Sequence, residues 1–200
     1  MVDTGNPGDA QKILDALPAN EVELKDIRLI LITHCHSDHT GNLARLKELT
    51  GAKVAIHSLE AEALAQGRGT EICPVGIAGR MFKFLIERFE SETFLGVQPD
   101  IRIEHELRLE QFGVQGKVIS TSGHTPGSVS VILANGEVII GDLIMGLFRP
   151  NIPGYPIFAY DMAQVKNSVR LIMESHPKKI HASHGGPFEP DAVLKKFGLL

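Results

Sequence analysis

The run Ile27-Arg28-Leu29-Ile30-Leu31-Ile32 reads as a buried strand that ends at Thr33. Ahead of it, Asp9 to Leu17 carries Ala10, Ile13, Leu14 and Leu17 on one helical face. Behind it, Thr40 to Leu49 has Leu43, Leu46 and Leu49 at spacing three, and Gly51 provides a stop. Lys53–His57 predicts a short strand and Leu59–Gln66 a short helix. Val75–Phe89 is apolar on most sides, which a fully solvated helix would not be. Strands follow at Ile101–Leu109, Lys117–Thr121, Ser128–Leu133 and Glu137–Ile140, the last two joined by the hairpin signal Asn135-Gly136. Asp161–Ser175 predicts an amphipathic helix with Met162, Val165, Val169, Ile172 and Met173 inward, and Lys179–Ser183 a final strand. Mixed in this order, the elements predict an α/β protein whose sheets pair both neighbouring and distant strands.

Two hundred residues suit a single domain, 1–200, with 59–100 as a helical insert. A net charge of −4 supplies no broad basic surface, so no nucleic-acid partner is expected. No apolar run is long enough to span a bilayer, so no membrane partner is expected either. Two cysteines, Cys35 and Cys73, make no disulfide framework and fit a reducing, cytoplasmic setting.

Metal-competent residues collect just past the strands. THCHSDHTG at 33–41 packs His34, His36, Asp38 and His39 into six positions. SGHTPGS brings His124 after Lys117–Thr121, GDLIMG brings Asp142 after Glu137–Ile140, and HGGP brings His184 after Lys179–Ser183. Each residue rides on a glycine-bearing turn, where the backbone is tightly fixed. Imidazole and carboxylate donors suit Zn²⁺, Fe or Mn²⁺. Cys35 reads as a small packed residue and Ser37 as a turn residue. His57 and His181 read as groups that pack or support the donors from behind, and His105 and His176 carry no assigned role.

VDTG at 2–5, THCHSDHTG, GHTPGS, IGD and SHGG stand in the order and context of the metallo-β-lactamase fold superfamily, and the chain resembles its glyoxalase II-like hydrolase branch over essentially its whole length. The resemblance implies an αββα sandwich of two mixed sheets with helices outside. It implies two divalent metals, zinc favoured over iron or manganese. His34, His36 and His124 would hold the first; Asp38, His39 and His184 would hold the second, with Asp142 bridging. Asp3 would orient the ligand loop through hydrogen bonds. A metal-bridging hydroxide would attack a carbonyl, with Asp38 orienting the water or accepting its proton.

Substrate expectations follow from departures. Only sixteen residues follow His184, where glutathione-thioester hydrolases carry a long helical region. β-Lactamases with this histidine pattern lack a carboxylate at the place of Asp142. A small ester, thioester or lactone is therefore the expected small-molecule substrate. A mononuclear-iron persulfide dioxygenase is the alternative, and a β-lactamase or nuclease ranks lower. Phe148-Arg149-Pro150 through Ile157-Phe158 reads as a proline-stiffened loop. Arg149, Tyr155, Phe158 and Tyr160 are the candidate substrate-pocket residues. The strands that usually precede VDTG are not in the sequence; with the apolar helix at 75–89, that leads to the expectation of a homo-oligomer, a homodimer or larger.

Overall fold

The computed structural model describes residues 1–89, 93–147 and 149–199. Phe148, expected in the pocket loop, lies outside the described residues. Contacts divide the chain into two compact units, Met1–Thr70 with Glu90–Glu104, and Glu71–Phe89 with His105–Leu200.

The first unit contains α1 (Ala10–Ala19), β1 (Leu29–Leu31), α2 (Ser37–Thr40), α3 (Leu43–Thr50), β2 (Lys53–His57), α4 (Ala61–Gln66) and β3 (Ile101–Ile103). Its sheet runs β1-β2-β3 and is parallel throughout, with Leu29 opposite Lys53 and Ala55 opposite Ile101. A parallel sheet buried on both faces explains the continuous apolar runs. Ile30, Ile32, Val54 and Ile56 are fully buried with Leu43, Leu46 and Leu64, and Ile13, Leu14 and Leu17 of α1 pack against them. The expected helix Thr40–Leu49 forms as α3 from Leu43 onward, while Thr40 closes the separate short helix α2. The break falls at Gly41-Asn42, where a Cβ on Gly41 would lie 2.2 Å from the Pro7 nitrogen. Gly51 ends α3 at φ +66°, where glycine is favoured.

The second unit contains α5 (Gly76–Phe89), β4 (Glu106–Arg108), β5 (Gly116–Ser120), β6 (Val129–Leu133), β7 (Glu137–Ile139), α6 (Met162–Glu174), β8 (Lys179–His181) and α7 (Pro190–Phe197). Its sheet has the order β4-β5-β6-β7-β8, antiparallel except for the parallel β7–β8 pair. Mixed pairing is thus confined to this sheet. Ile119, Val138, Ile140 and Ile180 pack with Val165, Val169 and Ile172 of α6 and Val193 and Phe197 of α7. Asp161 caps α6 by accepting the N–H groups of Ala163 and Gln164.

The single strand expected over Ile101–Leu109 is two. Residues 101–103 pair with β2, whereas 106–108 pair with β5, and the chain changes sheet at Glu104-His105. α7 was not among the expected elements, although Pro190 at its start, Val193 and Phe197 one turn apart and Gly198 after its end mark it. No helix among the described residues is long and apolar enough to cross a membrane.

Candidate metal centre

In the first unit, the chain past β1 leaves the ladder and turns its backbone toward carboxylates. Ile32 still donates to Ala55 O at 2.9 Å. Thr33 instead donates its N–H to Asp3 Oδ1 at 2.7 Å and its hydroxyl to Asp3 Oδ2 at 2.8 Å. With that hydroxyl proton committed to Asp3, Thr33 Oγ1 accepts from His34 Nδ1 at 3.1 Å. His39 Nδ1 donates to Asp3 Oδ2 at 2.8 Å. Both rings are therefore fixed with Nε2 as the lone-pair nitrogen, the form a cation requires. His34 Nε2 stands 3.1 Å from His36 Nδ1. Bonds of about 2.0–2.1 Å to a tetrahedral metal would set two nitrogens roughly 3.3 Å apart, so this pair already spans one edge of such a site. Asp38 Oδ2 lies 3.6 Å from His39 Nε2, and Asp38 is about a third exposed whereas His34, His36 and His39 are buried.

In the second unit, register does the positioning. β7 and β8 are parallel neighbours with Ile139 opposite His181. Three residues past each come Asp142 and His184, and His184 Nε2 lies 3.2 Å from Asp142 Oδ2. β5 runs parallel to β7 because both are antiparallel to β6, so the turn holding His124 leaves the same sheet edge. His124 Nε2 lies 3.7 Å from that same Oδ2. Its Nδ1 donates to Phe158 O at 2.7 Å, which again presents Nε2. Gly123, at φ +144°, lets this turn lie against α6; a Cβ there would sit 2.4 Å from Val165 N. Gly185, at φ +101°, likewise admits Gly146 and Pro150 against the His184 turn.

His34, His36, Asp38 and His39 of the first unit and His124, Asp142 and His184 of the second are groups that could hold metal. The donor set fits a borderline divalent cation: imidazoles with oriented tautomers, together with carboxylates. A thiolate plays no part in it. Cys35 Sγ donates to Arg68 O at 3.4 Å, and burial, reinforced by the Glu60 carboxylate, pushes its thiol up and keeps it protonated.

The other candidate residues are placed as follows. Asp3 holds Thr33 and His39. His57 accepts from Leu59 N at 3.2 Å through Nδ1, so its Nε2 donates to Glu104 O at 3.1 Å; the ring braces the chain where it leaves β3. His181 Nε2 lies 3.6 Å from a Glu137 oxygen across β7 and β8. Arg149 is exposed. Tyr155 packs edge-on against Phe197 at 4.9 Å and donates to Lys196 O, so it is engaged with α7. Phe158 is buried, and its carbonyl holds His124. Tyr160 is exposed and donates its N–H to His124 O at 3.0 Å. Sequence reasoning missed Thr33, the Phe158 carbonyl, Asn42 and Glu60. Asn42 Nδ2 donates to Thr4 O and Asn6 O and ties the VDTG turn to the start of α3. Only Thr33, adjacent to the histidine motif and hydroxyl-bearing, offered a signal.

Residues 1–184 match the model of the metallo-beta-lactamase superfamily. A probable metallo-hydrolase of Methanocaldococcus jannaschii is 30% identical over 191 residues, covering 92% of this chain and 82% of that protein. A hydroxyacylglutathione hydrolase of Shewanella oneidensis is 30% identical over 173 residues; the match covers 84% of this chain and only 50% of that enzyme. The structure of TTHA1623 in a di-iron-bound form superposes with TM-score 0.69 at 24% identity, covering 100% of this chain and 88% of that one. The α/β architecture of two sheets with helices, the ordered histidine and aspartate turns, and a family match across 184 of 200 residues lead to one conclusion: the chain belongs to the metallo-β-lactamase superfamily.

Proposed function

We propose that this protein is a dinuclear metal-dependent hydrolase acting on a small ester, thioester or lactone. The observation that carries the reading is one atom. Asp142 Oδ2 lies 3.2 Å from His184 Nε2 and 3.7 Å from His124 Nε2, and its carboxylate is buried. An oxygen so placed between two imidazoles is suited to bridging two cations, and two cations would offset the cost of burying its charge. In this reading His34, His36 and His124 would hold the first metal, and Asp38, His39 and His184 would hold the second. Zinc is favoured, with iron or manganese as the alternatives; the di-iron form of TTHA1623 supports a two-metal centre on this fold.

When bound, such a pair acidifies a water and polarises a carbonyl. The chain's own residues do the rest. Asp3 and the Phe158 carbonyl fix His39 and His124 in one tautomer and orientation. Asp38, the more exposed carboxylate of the set, accepts the proton of the attacking water at a side-chain oxygen. No serine or cysteine nucleophile is needed; the Cys35 thiol is engaged with Arg68 O. Arg149, exposed on the loop after Asp142, pairs with an anionic group on the substrate. The hydroxyacylglutathione hydrolase likeness supports thioesters as the first class to assay, in a cytoplasmic setting. The test is a panel of thioesters, esters and lactones, with metal-replete protein and a His36→Ala variant. Turnover that falls by orders of magnitude in the variant supports the proposal; equal turnover in both refutes it.

The reading includes self-association. Ile77, Met81, Phe84 and Leu85 form an exposed apolar stripe along α5. These side chains offer on the order of 500 Å² per copy, so two copies would bury roughly 1,000 Å², near the lower range for specific interfaces.

A further inference from the structure

We infer that Glu60 is a positioning residue for the first metal site, acting through the peptide between His34 and His36. Glu60 follows β2 and immediately precedes α4, and it is 1% exposed. Its Oε2 accepts the backbone N–H of Cys35 at 2.5 Å. A residue before a helix often caps it, yet the Glu60 side chain makes no cap bond to α4. It is directed instead at the histidine segment.

The arrangement has a simple logic. Beyond Ile32 the segment has left the β-ladder, and its N–H groups at Thr33 and Cys35 are two residues apart, one on each side of His34. Asp3 receives the first and Glu60 the second. On the other side of the Cys35 peptide unit, Thr70 N–H donates to Cys35 O at 2.7 Å. The Cys35 thiol donates to Arg68 O. Residues 60–70 therefore clamp Cys35 at N–H, carbonyl and side chain, and the flanking rings inherit that fixed geometry. The 3.1 Å separation of His34 Nε2 and His36 Nδ1 depends on the torsions of this one peptide segment. Removing the Glu60 acceptor leaves a buried N–H without its carboxylate and lets those torsions relax.

This inference rests on reading His34 and His36 as ligands, and the experiment separates the two. Metal-free wild-type protein is titrated with cobalt(II) and with zinc, following cobalt absorption and competition; two binding events test the underlying reading. Glu60→Ala and Glu60→Gln are then compared with wild type. Glu60→Ala should weaken the first site about 10–100-fold and alter its cobalt spectrum, leaving the second site's affinity unchanged. Glu60→Gln retains an oxygen acceptor and should restore affinity to within roughly threefold. A folded Glu60→Ala protein with wild-type affinity overturns the inference, as does a glutamine variant as weak as the alanine one. Amide hydrogen exchange in metal-free wild type reads the bond itself and stands even if the alanine variant does not fold. Cys35 N–H should be strongly protected; exchange at the rate of an open amide overturns the inference.

Discussion

Asp3 Oδ2 stands 2.8 Å from His39 Nδ1, and the companion oxygen of the same carboxylate receives Thr33 N–H at 2.7 Å. One side chain thus sets the tautomer of a histidine and the path of the segment that carries three more donors. Asp3 sits at φ +55°, a conformation asparagine also tolerates. Asp3→Asn should therefore fold, yet weaken metal binding through His39 by about 10–100-fold. Isothermal titration with zinc reads this, and unchanged affinity would mean that His39 is held by other groups.

Gly123 predicts a stability effect separate from donor chemistry. An alanine Cβ would meet Val165 N at 2.4 Å in a backbone region that side chains avoid. Gly123→Ala should cost at least about 2 kcal/mol, since α6 must move to admit it. Urea unfolding followed by circular dichroism measures the loss.

Much of the fold was legible because its apolar periods were clean. Lys53–His57 forms over the expected residues, α6 buries Val165, Val169 and Ile172, and Asn135-Gly136 turns the hairpin. Ile101–Leu109 failed as one strand because Ile101, Ile103, Leu107 and Leu109 keep one period of two; the polar run Glu104-His105-Glu106 interrupts it where the partner changes from β2 to β5. The candidate donors were legible because histidine and aspartate on glycine turns are chemically conspicuous. Their supports were not. The carbonyl that fixes His124 belongs to Phe158, and a carbonyl leaves no mark of residue type; Glu60 reaches Cys35 across 25 positions of sequence.

Acid stability should report the Asp100 cluster of the first unit. Burial raises the Asp100 carboxyl, but hydrogen bonds from Lys47 and from Val54 N–H outweigh it and hold the group below its ordinary value. A lowered folded pKa stabilises fully above the unfolded value of about 4, and the contribution is lost as pH falls through the folded one. The side chains are partly exposed, so the effect is at most about 1 kcal/mol. Wild type and Asp100→Asn should differ in urea midpoint at pH 6 and converge toward pH 3. A constant gap would contradict the assignment.

The apolar stripe on α5 predicts association that one substitution weakens. Phe84 is 65% exposed, so Phe84→Glu costs the fold little and sets two charges against each other at a self-complementary face. Light scattering across a dilution series should give a dimer for wild type and a lower mass for Phe84→Glu. A wild-type monomer at every concentration would remove self-association from the proposal.

The central claim is that Asp142 joins two metals, and metal content measures it most directly. Elemental analysis of metal-replete protein should find two divalent ions per chain in wild type. Asp142→Ala should hold close to one, with its circular dichroism spectrum preserved. One fully occupied ion in wild type, with anomalous scattering placing it alone, would contradict the dinuclear account and favour mononuclear iron chemistry instead.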